Sequence, residues 1–399
     1  MAKLSIQNVD VTGKDVLVRV DFNVPLDGGS ITDDRRIAAA LPTIKSIIER
    51  GGRAILMSHL GRPKGEGHEP ALSLKPIAER LSQLLGKPVG FPTNDCTTAG
   101  EAIDELGDGD VILLENLRFH HAEKTGDSKF AASLADFGDI YVNDAFGTCH
   151  RSDASMVAVP TVMKGSPRAV GFLVEKEIRY LTDVLADPQR PFVVVLGGAK
   201  VSDKLLAIEN LLPQADNVIV GGAMAYTFIK ALGHDVGTSI VETGMIAEAK
   251  RIIEQAANHK AELHLPFDHI CSTQFSATAG DIGVFEDNIK DGYMGLDIGP
   301  KTQARFAELV RNAKTVVWNG PMGVSEWPPF RVGTQQVAKA MAEATASGAT
   351  TIVGGGDSAA AIEKFGFADQ VSHVSTGGGA SLKMLEGKPF EALTLIDEA

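Results

Sequence analysis

Cationic and polar residues recur directly after the apolar runs in the first half of the chain. They are Asp21 and Asn23 after VLVRV (16–20), His59 and Arg62 after RAILM (53–57), Arg118 after DVILLEN (110–116), and His150 and Arg151 after DIYVNDAFGT (139–148). The helical pattern after the first run opens with Arg35 and Arg36. Guanidinium groups bind phosphate and carboxylate oxygens in pairs. The repetition predicts a site for a small phosphorylated or carboxylated metabolite.

The second half of the chain carries glycine at the equivalent positions. The segments are LGGAKVSDK (196–204), VGGAM (220–224), WNGPMG (318–323), VGGGDS (353–358) and STGGGAS (375–381). Glycine lets backbone amides approach a ligand, and a helix that starts there offers free N–H groups to phosphate. Lys200 and Lys204 flank one such helix start, so these segments favour a nucleotide phosphate site. Asp357 either caps its helix or holds Mg²⁺, and the sequence does not distinguish these two interpretations.

The elements that position these residues are strands alternating with helices. Continuous apolar strands separated by helical patterns indicate parallel sheets that are buried on both faces. The expected fold is therefore α/β, with two doubly wound Rossmann-like parallel-sheet domains joined by a helix and hinge. We expect domains at 1–171 and 191–379, with the joining helix and hinge at 172–190. In such sheets ligands bind beyond the carboxyl ends of the strands.

Composition narrows the classes of function. The net charge of −13 argues against a nucleic-acid partner, and no apolar run approaches the 18 residues of a membrane span. The three cysteines are far apart without a CxxC pair, so neither a zinc pattern nor a disulfide framework is predicted. Sparse thiols and the absence of a signal-like N-terminus lead us to expect a cytoplasmic protein.

From end to end, the chain contains motifs that resemble those of the phosphoglycerate kinase family, bacterial type. They are RVDFNVP (19–25), SHLGRPKG (58–65), LLENLRF (113–119), YVNDAFGTCHR (141–151), GGAKVSDK (197–204), WNGPMG (318–323), GGGDS (354–358) and STGGGASL (375–382). The resemblance implies reversible phosphoryl transfer between ATP and 3-phosphoglycerate, giving ADP and 1,3-bisphosphoglycerate, with Mg²⁺ beside the nucleotide. It also implies a monomer that works by domain closure, and a C-terminal segment, 380–399, that packs on the first domain.

The resemblance assigns roles residue by residue. The catalytic residues it implies are Arg36, Lys200, Gly378 and Gly379. The substrate-binding residues are Asp21, Phe22, Asn23, Arg36, His59, Leu60, Gly61, Arg62, Arg118 and Arg151. The nucleotide-binding residues are Lys204, Gly221, Gly222, Asn319, Pro321, Val324, Glu326, Gly355, Gly356, Asp357 and Ser358, and Asp357 is also the metal ligand. Asp153 departs from the family pattern, which often has His or Gln there.

The sequence offers an argument against each of three other functions. Another ATP-dependent kinase of carboxylates or acyl phosphates would not need so many cations away from the transfer point. An oxidoreductase would be expected to carry the GxGxxG fingerprint, which the sequence lacks. A non-catalytic protein of this fold would be expected to lose Arg36, Lys200 or Asp357, and all three are present. A carboxylate acceptor is already ionised at pH 7, so the leading hypothesis requires no general base.

Overall fold

The computed structural model describes residues 2–259 and 261–399. Met1 and Lys260, which fall within the two predicted domains, lie outside the described residues. Two compact units make up the chain: the first contains residues up to Arg179 together with Pro389–Ala399, and the second is Tyr180–Lys388. The boundary at Arg179 falls inside the segment 172–190 for which the sequence predicts a joining helix.

The first unit is built on a parallel sheet whose inner strands are buried except at the first residues of two of them, Asp15 and Arg53. Its spatial order is Val111–Leu113, Arg53–Met57, Asp15–Val20, Ile140–Asp144 and Arg168–Val170. A short antiparallel hairpin, Leu26–Asp27 with Ser30–Ile31, follows the first strand. Valine, isoleucine and leucine fill both faces of the inner strands, which is what a sheet covered by helices on both sides requires.

Helices cover this sheet, and short turns carry the chain between them. The α-helices are Arg35–Glu49, Lys75–Leu85, Gly100–Asp104, His121–Thr125, Ser128–Ala135, Val159–Val162, Phe172–Ile178 and Glu391–Thr394. The 3-10 turns are Ile6–Asn8, Pro70–Leu72, Leu117–Phe119 and Phe146–Thr148, and Ala154–Ala158 is a π-helical segment. A second π-helical segment, Arg179–Asp183, contains the chain boundary between the two units. Pro42 lies inside the helix Arg35–Glu49, which continues through it.

The second unit repeats the architecture with a larger sheet. The parallel order is Glu262–His264, Asn217–Val220, Phe192–Leu196, Thr315–Asn319, Thr350–Gly354 and His373–Val374. A separate antiparallel sheet consists of Ile282–Glu286, Asp268–Ser272 and Met294–Ile298. Along the chain, its strands lie between Glu262–His264 and Thr315–Asn319 of the parallel sheet. The predicted fold class, α/β with Rossmann-like parallel sheets, is confirmed.

Most strands of the parallel sheet in the second unit are separated along the chain by helices. The helices of this unit are Val184–Ala186, Leu205–Leu211, Ala225–Ala231, Ile246–Asn258, Pro300–Arg311, Val332–Ala346, Gly356–Lys364 and Gly379–Leu385, with 3-10 turns at Thr243–Met245, Pro328–Phe330 and Ala368–Gln370. Over residues 2–259 and 261–399, none of the helices combines the length and apolar character needed to cross a bilayer.

Candidate functional site

The loops that follow the strands Asp15–Val20 and Arg53–Met57 meet at one edge of the first unit's sheet. Asp21 follows the strand Asp15–Val20, and both its carboxylate oxygens accept hydrogen bonds from Nη1 of Arg36, at 3.0 and 2.9 Å. Asn23 accepts a hydrogen bond of 2.8 Å from the backbone N–H of Gly61. The side chain of Arg36 is 39% exposed, so its guanidinium also remains accessible to a ligand.

His59 lies buried among guanidinium groups. Burial and the positive charges of Arg19, Arg118, Arg151 and Arg36 hold the pKa of His59 well below its usual value, so the ring is neutral. Its Nδ1 lies 3.2 Å from Nη2 of Arg19, which can only donate. Nδ1 is therefore the acceptor, and Nε2 carries the proton as a donor.

The guanidinium group of Arg118 contacts both the loop that contains Gly61 and the carboxylate of Asp153. Its Nη1 donates to the carbonyl of Gly61 at 3.1 Å, and its Nη2 donates to a carboxylate oxygen of Asp153 at 3.3 Å. Its Nε is buried with no hydrogen-bond partner among the described residues. Burial lowers the pKa of Arg118 from its usual value. Asp153, which departs from the family pattern, thus places a carboxylate beside Arg118, a residue predicted to bind the substrate.

The remaining predicted residues of this unit fall into two groups. Phe22 and Leu60 are buried, and their backbone N–H groups donate to Ser58 at 2.9 Å and to Asn116 at 3.2 Å. Arg62 is exposed and Arg151 is half-buried, and no described residue forms a side-chain hydrogen bond or ion pair with either of them.

Sequence reasoning missed two residues of this unit, Arg19 and Asn116. Arg19 is fully buried, and its only signal in the sequence is that it interrupts an otherwise apolar strand. Asn116 accepts from the N–H of Leu60 and donates to its carbonyl at 2.8 Å, so it joins two loops.

In the second unit, Lys204 is the half-buried member of the predicted lysine pair. Its Nζ donates to the side-chain oxygen of Asn319, at the end of the strand Thr315–Asn319. Burial lowers the pKa of Lys204 from its usual value, and the nearby carboxylates of Asp203 and Asp357 partly offset this. Lys200 is exposed, which leaves its ammonium group accessible.

A cavity of about 230 Å³ opens beside these groups. Five predicted residues line it: Gly222, Pro321, Val324, Glu326 and Asp357. Three apolar residues that sequence reasoning missed, Ile240, Phe275 and Leu296, also contribute to its walls. They come from separate segments of the chain, so no local sequence signal marks them as residues of one site. A small apolar cavity with a few polar groups is typical of a nucleoside site.

Tight backbone contacts form the wall of this cavity around Gly222. A Cβ atom there would approach the backbone N and O of Gly198 to 2.5 Å, and its φ is +66°. At Gly221 a Cβ would lie 2.4 Å from the sulfur of Met322. Both glycines are therefore required by the packing itself, whatever else they contact.

The helix Gly356–Lys364 points its first turn toward the same region. Gly355 precedes it with a φ of +89°, and Asp357 lies exposed in that first turn. Ser358 is buried, and its hydroxyl accepts a hydrogen bond of 2.6 Å from the N–H of Gly320. A second helix, Gly379–Leu385, begins after Gly378, whose φ is +49°. The carboxylate of Asp357 on the wall of this cavity fits Mg²⁺, which takes one or two carboxylates plus substrate phosphates.

Kinases need one surface for an acceptor and another for a nucleotide. The first unit carries clustered guanidinium groups, and the second carries a small apolar cavity beside a lysine and free helix N-termini. Fold and sites together define a phosphotransferase of the α/β class.

Comparison with known proteins identifies the family. The profile described as "Phosphoglycerate kinase" matches residues 6–388. The phosphoglycerate kinase of Rhodopirellula baltica is 55% identical over 403 residues, covering 100% of both chains. The solved phosphoglycerate kinase of Coxiella burnetii has a TM-score of 0.89 at 40% identity over 98% of both chains. That of Pyrococcus horikoshii has a TM-score of 0.83 at 33% identity, also over 98% of both chains. The chain belongs to the phosphoglycerate kinase family, and the protein is a kinase of glycolysis.

Proposed function

We propose that the protein transfers a phosphoryl group reversibly between ATP and the carboxylate of 3-phosphoglycerate. In the forward direction a carboxylate oxygen bonds to the γ-phosphorus while the bond to the β–γ bridging oxygen breaks. The products are ADP and 1,3-bisphosphoglycerate. The observation that carries this proposal is the group of arginines around a neutral His59, because an acceptor with its own phosphate needs cations away from the transferred group.

In the first unit, we assign the acceptor to the residues of this cluster. Arg118, Arg151 and Arg62 would bind the phosphate of 3-phosphoglycerate, with Nε2–H of His59 as a further donor. Asp21 and Asn23 would bind its hydroxyl group and hold the loop. Phe22, Leu60 and Gly61 would shape the wall through their backbone. Arg36 would lie beside the carboxylate and neutralise charge as the phosphoryl group arrives.

In the second unit, we assign the nucleotide to the cavity and the helix starts beside it. Gly221, Gly222, Pro321, Val324 and Glu326 would surround the nucleoside, with Glu326 on the ribose. Lys204, Asn319, Gly355, Gly356 and Ser358 would contact or support the phosphates. Lys200, with the helix start at Gly378 and Gly379, would stabilise the moving phosphoryl group.

Asp357 would hold the Mg²⁺ that accompanies ATP. When bound, the ion neutralises phosphate charge and orients the phosphates. The carboxylate lies exposed on the cavity wall, at a helix start, as this role requires.

This assignment needs positioning rather than proton transfer. The acceptor carboxylate is ionised at neutral pH, so no residue has to remove a proton from it. The acceptor and nucleotide residues belong to different units, and transfer requires the reacting atoms to come within roughly 3–3.5 Å. Closure of the domains would supply that approach and would exclude water from the nucleotide. We further propose that the enzyme acts as a monomer in the cytoplasm.

The experiment is a coupled assay with Mg-ATP and 3-phosphoglycerate, in which glyceraldehyde-3-phosphate dehydrogenase oxidises NADH. NADH consumption should require both substrates and stop with EDTA. ADP formation with acetate in place of 3-phosphoglycerate, followed through pyruvate kinase and lactate dehydrogenase, tests the alternative, a kinase for other carboxylates. Turnover of acetate at a comparable rate would favour that alternative over the proposal.

Substitutions test the division of roles between the units. Arg36→Ala should lower kcat by about two orders of magnitude or more, since a charge-stabilising donor is worth about 3–4 kcal/mol in a transition state. ATP affinity should stay nearly unchanged. Lys200→Ala should lower kcat similarly. Arg35→Ala is the matched control, because Arg35 pairs with Asp33 on the exposed side of the same helix start. Loss of ATP binding in Arg36→Ala would contradict the assignment.

A further inference from the structure

Outside the residues assigned above, three potential metal ligands of different chemistry lie together in the first unit. They are Asp95, Cys96 and His120, and their ligand atoms all lie within 4.8 Å of one another. In the part of the chain that the structure describes, they form the one such group of at least three histidine, cysteine or acidic residues. His120 is 25 positions from Asp95, so the fold creates the cluster.

The spacing of the ligand atoms is close to what a tetrahedral ion needs. Bonds of about 2.0–2.3 Å from Zn²⁺ to nitrogen, oxygen and sulfur place neighbouring ligand atoms roughly 3.3–3.6 Å apart. Nε2 of His120 is already 3.1 Å from Oδ1 of Asp95. Small rotations of these side chains would bring the sulfur of Cys96 into the same coordination sphere.

Neighbouring groups hold these ligands in place. Oδ1 of Asp95 accepts hydrogen bonds from the backbone N–H and the hydroxyl of Thr97, at 2.8 and 2.7 Å. The ring of His120 packs against Phe130, with centroids 5.1 Å apart. Metal sites commonly rely on such outer partners to fix the orientation of their ligands. The side chains of Asp95 and His120 are 43% and 29% exposed, so an ion can enter from solvent.

The local field also favours a cation. Cys96 is buried, and the carboxylates of Asp95, Glu123 and Glu115 lie near enough to act on its thiol electrostatically. The negative charges of these groups attract a divalent ion to the position of the thiol. A bound ion would replace the thiol proton, which would be released to solvent.

We propose that Asp95, Cys96 and His120 form a binding site for Zn²⁺ or a similar thiophilic divalent cation, with water as the fourth ligand. A thiolate and an imidazole select such metals over Mg²⁺, which prefers oxygen ligands. The site lies in the first unit, whereas Asp357 lies in the second. An ion here ties the loop of Asp95 to the segment that carries Arg118.

Co²⁺ is the probe for the test, because its bond to a thiolate absorbs light in the near ultraviolet. Titration of the full-length protein, without nucleotide, should produce this absorption at one Co²⁺ per chain and release one thiol proton. Added Zn²⁺ should displace Co²⁺ and abolish this absorption. Cys96→Ser should abolish it, and His120→Gln should weaken Co²⁺ affinity at least about tenfold. Cys149→Ser and Cys271→Ser are matched controls, since both thiols are buried but lie outside the cluster.

Two outcomes would overturn the proposal. One is the absence of a thiolate band in folded wild-type protein at a large molar excess of Co²⁺. The other is a band that survives in Cys96→Ser. Should Cys96→Ser fail to fold, Asp95→Asn takes its place, because that carboxylate is partly exposed; unchanged Co²⁺ affinity in this variant would equally count against the site.

Discussion

Replacing the buried carboxyl group of Asp144 by an amide should stabilise the first unit at neutral and alkaline pH. Asp144 ends the strand Ile140–Asp144 and is 1% exposed. Its Oδ1 accepts hydrogen bonds from the N–H groups of Leu173 and Val174, at 3.0 and 3.4 Å. Its Oδ2 has no hydrogen-bond partner among the described residues. The amide of the Asp144→Asn variant would retain the accepting oxygen and never ionise.

The magnitude follows from the pKa of this group. Burial raises the pKa of Asp144 from 3.8 to about 7, although its hydrogen bonds act in the opposite direction. Because the folded state holds the proton more tightly than the unfolded state, the stability that this group contributes is fully present below pH 3.8. It is lost as pH rises through about 7. This change in the pKa of Asp144 corresponds to about 4 kcal/mol of stability. The Asp144→Asn variant should therefore match the parent near pH 4 and exceed its stability near pH 8.

The assay must report on the first unit alone. Both tryptophans of the chain lie in the second unit, so their fluorescence is unsuitable. Hydrogen exchange of peptides from the strand Ile140–Asp144, measured by mass spectrometry in increasing urea from pH 4 to 8.5, gives the free energy of unfolding. Asp136→Asn is the control, because Asp136 is exposed in the same unit and should leave the pH dependence unchanged. A variant that is less stable than the parent by the same amount at pH 5 and pH 8 would refute the reasoning.

Two further substitutions test the two candidate sites. Asp153→Asn removes the negative charge beside Arg118, so KM for 3-phosphoglycerate should fall about fivefold, equivalent to about 1 kcal/mol, with KM for ATP unchanged. A rise in that KM would mean that the carboxylate orients the guanidinium instead. Gly222→Ala should destabilise the second unit by at least about 1–2 kcal/mol and weaken ATP binding, because its Cβ would meet the backbone of Gly198 at a positive φ. Tryptophan fluorescence in urea measures the stability of the second unit. Gly244→Ala is the control, because its Cβ would meet nothing within 4 Å. Equal unfolding midpoints for the two variants would contradict the prediction.

Strands, helix starts and much of the chemistry could be predicted from the sequence alone. The run of apolar residues in Asp15–Val20 predicts a strand buried on both faces, and the structure has it within one residue of the expected limits. The cations after such strands indicate an anion site because parallel strands end at one edge. These signals are local: a few consecutive residues suffice to decide whether a strand, a turn or a helix start forms.

The pairings between distant residues could only be seen in the folded chain. Nothing near His59 in the sequence indicates that Arg19 fixes its tautomer, or that Asp153 approaches Arg118. The cluster that contains His120 likewise has no CxxC spacing to reveal it. Such contacts depend on sheet order and on the packing of helices against it. Burial then sets their charge states, because removal of water changes the pKa of a group by more than its neighbours in sequence do.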